Sequence, residues 1–295
     1  MAKKTEKSPK KDPFWKGMME EKKKKVTRKP LEKAPPKKSS RPPRNEKTKP
    51  AAKSLAPQDE SVRLNRYIAS AGICSRREAD DLIAGGKVKV NGKIVTELGL
   101  KIDPLKDKIE YQGEVLKPKK LTYILLNKPK NMITTNSDPQ GRKTVIDAVA
   151  SATTERVFPV GRLDRNTTGI LLLTNDGDLA KKLTHPSHRV RKIYHVSLDK
   201  PVAEEDMQKL MDGITLEDGE AKVDKIDYVI GKTTNEVGVE IHSGKNRIVR
   251  RMFEALGYQV EKLDRTAFGS LTKKNLPRGS WRILTDNEVS FLKMM

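Results

Sequence analysis

The chain is poor in the residue types that mark several protein classes. Its 295 residues include a single cysteine, Cys74, which excludes a disulfide within the chain and a multi-cysteine zinc site. Its four histidines do not fall at metal-ligand spacing. No run approaches the roughly 20 apolar residues of a spanning helix, and the opening Met-Ala-Lys-Lys lacks the apolar core of a signal peptide. We therefore expect a soluble, cytoplasmic protein with no membrane partner and no metal.

Acidic residues are scarce relative to basic ones. The chain has 61 Lys and Arg against 39 Asp and Glu, a formal net charge of +22. Residues 1–60 hold 20 of those basic residues and 8 of the acidic ones, so residues 61–295 are also basic in their own right. A positive excess of this size attracts polyanions, and it predicts a nucleic-acid partner.

Residues 1–60 contain nine of the 17 prolines and almost no aliphatic periodicity. Such a segment buries too little apolar surface to offset the entropy of ordering, and we predict a disordered Lys/Pro-rich basic tail. Salt-sensitive phosphate contacts are one possible role of this tail. Solubility alone is the other.

After residue 60 the pattern changes to that of a small folded domain, predicted over residues 61–118. Leu64, Tyr67 and Ile68 share one helical face, and Ser75 begins a second helix with capping-box spacing. Asn91-Gly92 then supplies a tight hairpin turn. Basic residues lie at the starts of the helices and along the first strand. We predict that they contact RNA phosphates, and they are Arg63, Arg66, Arg76, Arg77, Lys87 and Lys89.

The segment Gly161-Arg-Leu-Asp-Arg-Asn-Thr-Thr-Gly-Ile-Leu-Leu-Leu-Thr-Asn-Asp-Gly177 joins a polar loop to an apolar run. The run Ile170 to Leu173 is typical of a strand buried on both faces. The loop before it is therefore held against a rigid core. Its one carboxylate, Asp164, lies between two arginines, and we interpret it as a group placed for chemistry.

The rest of the chain predicts a second domain over residues 119–295. Short helices alternate with strands separated by hairpin-length gaps, which indicates an α+β fold with a mixed, largely antiparallel sheet. A helix from Ile248 to Leu256 has an apolar face and ends at Gly257. Arg247, Arg250 and Arg251 share a neighbouring face, which favours an anionic partner over a purely structural role.

Two known families are recognisable at this point. The segment Ser75-Arg-Arg-Glu-Ala and its surroundings resemble the alpha-L RNA-binding motif. The Gly161 to Gly177 segment, Lys192-Ile-Tyr194 and Gly244-Lys-Asn-Arg-Ile-Val-Arg-Arg-Met252 resemble signatures of the RsuA/RluB family of ribosomal RNA pseudouridine synthases. The resemblance covers about residues 61–295 and leaves only the tail outside it.

The resemblance implies an enzyme that converts uridine to pseudouridine in ribosomal RNA without cofactor, metal or energy source. Asp164 matches the family's essential aspartate, Tyr194 the tyrosine that packs against the flipped base, and Arg250 the cation paired with the aspartate. Further candidate RNA contacts are Arg162, Arg165, Lys192, Arg247 and Arg251. The expected partner is ribosomal RNA or a pre-ribosomal particle, and the expected state is a monomer.

Several alternatives stay open at this level. The signatures favour an RluB-like enzyme acting on the large subunit, whereas Val62-Arg-Leu-Asn-Arg-Tyr-Ile and the segment around Ser75 also resemble the RluF-like branch. The same isomerase could act on small-subunit RNA or tRNA. A non-catalytic RNA-binding or ribosome-assembly factor is the rival from another functional class.

Overall fold

The computed structural model describes residues Ser61–Met295. The predicted disordered tail over residues 1–60 lies outside the described residues. The domain boundary predicted at residue 118 stays a prediction. Among residues 61–295, no helix is long and apolar enough to span a membrane.

The first part of the described chain packs two helices against a small sheet. The elements are β1 (Val62–Arg63), α1 (Leu64–Ser70), α2 (Arg76–Ala84), β2 (Val88–Val90), β3 (Lys93–Val95), β4 (Lys101–Ile102), β5 (Ile109–Tyr111) and β6 (Glu114–Val115). The strands of the small sheet follow the order β3, β2, β5, β6. The core of this part contains Leu64, Ile68 and Ile83, which are at most 1% exposed.

Helix α2 begins with the predicted capping box. The Ser75 hydroxyl accepts from the Glu78 backbone amide, and the Glu78 carboxylate accepts from the Ser75 amide. These two bonds satisfy amides that the helix itself leaves free. The hairpin predicted at Asn91-Gly92 joins β2 to β3.

The remaining elements build the larger domain around one sheet. They are β7 (Tyr123–Lys128), α3 (Val145–Val149), β8 (Phe158–Pro159), β9 (Thr168–Thr174), α4 (Gly177–Thr184), a 3-10 turn (Pro186–His188), β10 (Lys192–Leu198), α5 (Glu204–Asp212), β11 (Ile214–Leu216), β12 (Gly219–Ala221), β13 (Lys225–Tyr228), β14 (Glu236–Ile241), α6 (Ile248–Ala255), β15 (Val260–Phe268), β16 (Leu271–Thr272), β17 (Trp281–Ile283) and α7 (Asp286–Met294).

The large sheet runs in the order β13, β14, β10, β15, β9, β7, β17, with β8 beside β9 and β16 beside β15. Its β15 and β9 strands are parallel, and its other described pairs are antiparallel. The predicted α+β class with a mixed, largely antiparallel sheet is therefore confirmed.

The central strand β9 is buried on both faces, as its apolar run predicts. Leu171 and Leu173 pack on the face covered by α3, α5 and α6, whereas Ile170 and Leu172 pack on the face covered by α4 and α7. Successive side chains of a strand point to opposite faces, so one strand contributes to both cores. The loop that precedes β9 is thereby attached to the most rigid part of the sheet.

Candidate active site

The loop of residues 161–167 links β8 to β9 and carries Asp164. Its backbone is held from several directions. The Asp164 carbonyl accepts from the Thr167 amide at 3.0 Å, and the Arg165 carbonyl accepts from the Asn131 amide at 2.9 Å. The Thr134 hydroxyl donates to the Leu163 carbonyl at 2.8 Å. These bonds fix the backbone around a half-exposed carboxylate.

Lys128 is the main support beneath this loop. It ends β7, it is fully buried, and its ammonium donates to the carbonyls of Asp164 at 3.1 Å and Thr167 at 2.8 Å. Two more carbonyls, of Pro129 and Arg165, lie within 3.4 Å of the same Nζ. Burial lowers the pKa of Lys128 to about 8, and the nearby Asp164 carboxylate opposes that shift.

Tyr194 on β10 borders the same cavity as Asp164. The tyrosine is 8% exposed, and its strand position is opposite Arg265 on β15. The cavity has a volume of about 100 Å³. That is below the roughly 300–1,000 Å³ of pockets that enclose drug-sized ligands, so this cavity suits a single small group. It is lined by Arg162, Leu163, Asp164, Thr167, Lys192, Tyr194, Ser243, Gly244, Lys245, Arg247, Ile248, Val249, Leu263 and Arg265.

The cation nearest to Asp164 differs from the one that the sequence predicts. Arg247 lies 3.6 Å from the Asp164 carboxylate, whereas the Arg250 guanidinium donates to the Val260 carbonyl at 2.7 Å. Burial, followed by repulsion from Arg247, lowers the pKa of Arg250, and the Asp164 carboxylate opposes the shift. Arg250 therefore acts on Asp164 through its charge, and Arg247 forms the ion pair.

The position of Arg247 explains why it reaches the site. It precedes α6 with a φ of 47°, the left-handed region that non-glycine residues rarely adopt, and its side chain supplies no cap to the helix. Such strained backbone is concentrated at functional sites. The exposed guanidinium of Arg247 lies 3.6 Å from the carboxylate of Asp164 and 3.7 Å from that of Glu254. Apolar periodicity along α6 does not indicate either contact.

In the second predicted domain, the other predicted RNA contacts lie in the cavity, in an adjoining groove and outside both. Arg162 and Lys192 line the cavity, and Arg165 lies with Arg162 along an adjoining groove beside residues 133–142. Lys192 donates to the Val190 and His242 carbonyls, both at 2.9 Å, and burial lowers its pKa to about 8. Arg251 lies outside the cavity lining and is paired with Asp218.

In the N-terminal module the predicted contacts are mostly solvent-exposed. Arg66 is the exception, because its guanidinium is paired with Asp178 at the start of α4. A second contact joins the same two parts of the chain, at 3.4 Å between Arg156 and Glu78. The exposed ones are Arg63, Arg76, Arg77, Lys87 and Lys89.

Sequence reasoning missed three buried residues of the site. Lys128 is the last residue of the buried strand β7, and a lysine next to an apolar run was the available signal. Thr167 lies inside the recognised segment, where its hydroxyl carries no distinguishing pattern. Arg265 belongs to β15, a strand that periodicity did not predict.

Comparison with known proteins identifies the family. The family model described as RNA pseudouridylate synthase matches residues 122–255, and the S4 domain model matches residues 62–109. A Bacillus subtilis protein called ribosomal large subunit pseudouridine synthase B is 43% identical over 236 residues, which cover 79% of this chain and 96% of that protein. The chain belongs to the RNA pseudouridine synthase family.

Further relatives of this pseudouridine synthase agree with the assignment. The dual-specificity RNA pseudouridine synthase RluF of Escherichia coli is 38% identical and is covered over 78% of its length. A solved structure described as a pseudouridylate synthase is 32% identical, with a TM-score of 0.55, and is covered completely. The predicted family, with its N-terminal RNA-binding module, is therefore confirmed.

Proposed function

We propose that this pseudouridine synthase isomerises a uridine of ribosomal RNA, and that its target lies in the large subunit. The carrying observation is that the Asp164 carboxylate opens into a small cavity beside Tyr194 and the cations Arg247 and Lys192. The similarity to the Bacillus subtilis large-subunit synthase over nearly its whole length supports the choice of subunit.

In the proposed mechanism the target uridine leaves the RNA stack and its base enters the cavity. The face of Tyr194 offers a surface that replaces lost base stacking. Asp164 acts as the nucleophile towards the reacting nucleotide, and its bond to that nucleotide breaks again before the product leaves, which regenerates the carboxylate. Arg247 and the buried Arg250 place permanent positive charge near the carboxylate, because guanidinium groups do not lose their protons.

The reaction is an isomerisation that balances without an external reagent. The bond between uracil N1 and ribose C1′ breaks, the base turns, and a bond forms between C5 and C1′. The proton on C5 is lost and N1 gains one, so the composition of the RNA is unchanged. No oxidant, reductant or group donor is consumed, and the proposal includes no small-molecule cofactor.

The proposed partner is ribosomal RNA or an assembling ribosomal particle, bound by a monomer in the cytoplasm. Exposed basic residues of the N-terminal module supply phosphate contacts that hold the RNA but do not select its sequence. We propose residues 61–118 as this binding domain and 119–295 as the catalytic domain.

The test is Asp164→Asn, which keeps the shape of the side chain and removes its charge. Pseudouridines are mapped in RNA from cells that lack the enzyme and carry either the wild type or the variant. One large-subunit pseudouridine disappears with Asp164→Asn, while RNA affinity stays within about twofold, because the neutral amide cannot act as the nucleophile.

Asp218→Asn is the matched control, since Asp218 is also paired with an arginine but lies outside the cavity lining. This control retains the modification. A pseudouridine lost from small-subunit RNA or tRNA would correct the substrate. An unchanged pseudouridine map would overturn the enzymatic proposal and favour a non-catalytic assembly factor.

A further inference from the structure

Two residues that line the cavity each carry a buried polar group without a hydrogen-bond partner among residues 61–295. These groups are the hydroxyl of Thr167 and Nη2 of Arg265, and each residue is only 2% exposed. A buried polar group without a partner costs folding free energy. Unsatisfied groups of this kind are rare in folded proteins, and two in one cavity point to a ligand that completes them.

The backbone around Arg265 places this residue at the cavity, opposite Tyr194. Between the pairs Ile193–Ala267 and Tyr194–Arg265 the register of β10 and β15 shifts by one residue, which leaves Thr266 as a bulge. Bulges of this kind redirect a neighbouring side chain. Arg265 therefore lies directly across from Tyr194.

A second feature fixes Arg265 from below. Its Nε donates to the Ile170 carbonyl at 2.9 Å, and its guanidinium carbon lies 4.9 Å from the centroid of the Phe268 ring. These contacts hold the guanidinium in place and leave the buried Nη2 without a partner among residues 61–295. The backbones of Gly169 and Arg265 also lie close together. Only glycine permits this contact, because a Cβ at residue 169 would lie 2.2 Å from the Arg265 carbonyl oxygen. The glycine of the Asp164 segment thus serves the placement of Arg265 as well as the turn into β9.

The charge of the cavity indicates the chemistry of the missing partner. A guanidinium only donates hydrogen bonds, so Nη2 requires an acceptor. Lys192 lines the same cavity. Burial is the main cause that lowers the pKa of Lys192, and the positive charge of Arg265 lowers it further. An oxygen acceptor is favoured in such surroundings, and a base carbonyl offers one.

We propose that Arg265 and Thr167 bind the polar edge of the target uracil, with Arg265 donating to a ring carbonyl and Thr167 pairing with the same edge. The inference rests on the proposed function and names two substrate-binding residues of its site. The polar edge consists of two carbonyls with the N3–H group between them, so a donor and a hydroxyl complement it.

The geometry of the isomerisation makes a fixed donor useful. A half-turn of uracil about the line from N3 to C6 exchanges N1 with C5 and also exchanges the two carbonyls. A donor at one carbonyl position therefore meets a carbonyl oxygen both before and after the turn. Arg265 can hold the detached base in both orientations without moving, while N3 stays in place beside Thr167.

The same arrangement selects uracil over cytosine. Cytosine carries an amino group where uracil has its second carbonyl, so one of the two orientations would direct an amino donor at the Arg265 donor. Two donors that face each other leave both groups unsatisfied. Arg265 therefore contributes to base identity as well as to binding.

The experiment uses the full chain and a synthetic RNA that spans the uridine mapped with Asp164→Asn. The target position carries uridine, 2-thiouridine or 4-thiouridine, because sulfur is a weak hydrogen-bond acceptor. Turnover is measured as the isomerised nucleoside separated by chromatography. Sulfur lowers kcat/KM of the wild type about ten- to hundredfold, the size expected for a hydrogen bond from a charged donor. It lowers kcat/KM of Arg265→Met less than about threefold.

Thr167→Val provides a second test that does not depend on the folding of Arg265→Met. It keeps the side-chain shape and removes only the unpartnered hydroxyl, so kcat/KM falls about tenfold while Tm is unchanged or higher. Thr168→Val is the matched control. Its hydroxyl donates to the Asp264 carboxylate at 2.5 Å, so Tm falls and the sulfur effect stays as in the wild type.

Two results would overturn the inference alone. The first is a sulfur effect of equal size in the wild type and in Arg265→Met, which would fit a phosphate ligand. The second is full activity of Thr167→Val. A wild type that turns over no RNA at all would overturn the proposed function and this inference together. The three outcomes are therefore distinguishable.

Discussion

Positive charge is arranged in opposite ways in the N-terminal module and in the cavity. In the module, residues such as Arg76 and Arg77 extend into solvent from the start of α2. In the cavity region, Lys128 is fully buried and Arg265 is 2% exposed. Exposed charges are screened by salt and act as a sum, whereas a buried cation depends on specific partners. The module is thus suited to grip RNA of many sequences, and the cavity to position single atoms.

The largest effect is expected from removing a buried cation. Lys128→Met keeps the length of the side chain and leaves the four carbonyls around Nζ without their donor. We expect the free energy of unfolding to fall by about 3 kcal/mol or more. Because the Asp164 loop loses its support, kcat/KM falls about a hundredfold.

The measurements are urea unfolding and pseudouridine formation on RNA. Lys130→Met is the matched control, because Lys130 is two residues away and exposed. It changes unfolding free energy by less than about 0.5 kcal/mol. Equal losses in Lys128→Met and Lys130→Met would remove the distinction between buried and exposed cations.

The next largest effect is the change of stability with pH that the buried Lys128 causes. The pKa of Lys128 is lowered by burial to about 8, against its usual 10.5. The unfolded chain therefore binds more protons between these values, and stability rises with pH through this window. Between pH 7.5 and 9.5 the gain from Lys128 is about 2 kcal/mol.

Urea unfolding at the two pH values measures this gain. Other groups that titrate in the window contribute to both proteins, so the informative quantity is the difference between the wild type and Lys128→Met. The variant lacks the Lys128 share of the rise. An identical pH response in the two proteins would show that burial does not shift the lysine.

The smallest effect is expected in the module. The double variant Arg76→Ala/Arg77→Ala weakens RNA binding a few-fold, and the slope of log affinity against log salt falls by about 1 for each lost phosphate contact. Arg66→Ala changes the slope less, because the Arg66 guanidinium is already paired with Asp178. Binding titrations at several salt concentrations give these slopes. An equal salt slope in the wild type and in the double variant would show that the RNA does not contact Arg76 or Arg77.

Local patterns predicted much of the fold. The capping box at Ser75, the hairpin at Asn91-Gly92 and the fully buried strand β9 depend on neighbours in sequence, and the structure confirms them. The strand β15 was not predicted. Its buried positions include the polar residues Asp264 and Arg265, which interrupt the apolar pattern that sequence reasoning uses.

Within the candidate site, the sequence brought together Asp164, Tyr194 and Arg250 only through family resemblance. The structure lines one cavity with Asp164 and Tyr194, and it gives the ion pair to Arg247. Arg247 precedes α6 with a left-handed backbone, which the apolar pattern of α6 does not encode. The catalytic and binding roles of these residues stay predictions until the variants are measured.

The sequence by itself determined the basic character of the chain, its family, and the buried strand that anchors the Asp164 loop, because each of these depends on composition or on residues close together. Only the tertiary structure decided which distant groups meet at the site. Lys128 reaches the Asp164 carbonyl across 36 residues, and Arg265 lies opposite Tyr194 through a shift in strand register. Distances of this kind depend on the order and register of the strands, and a shift of one residue changes which side chain enters the cavity.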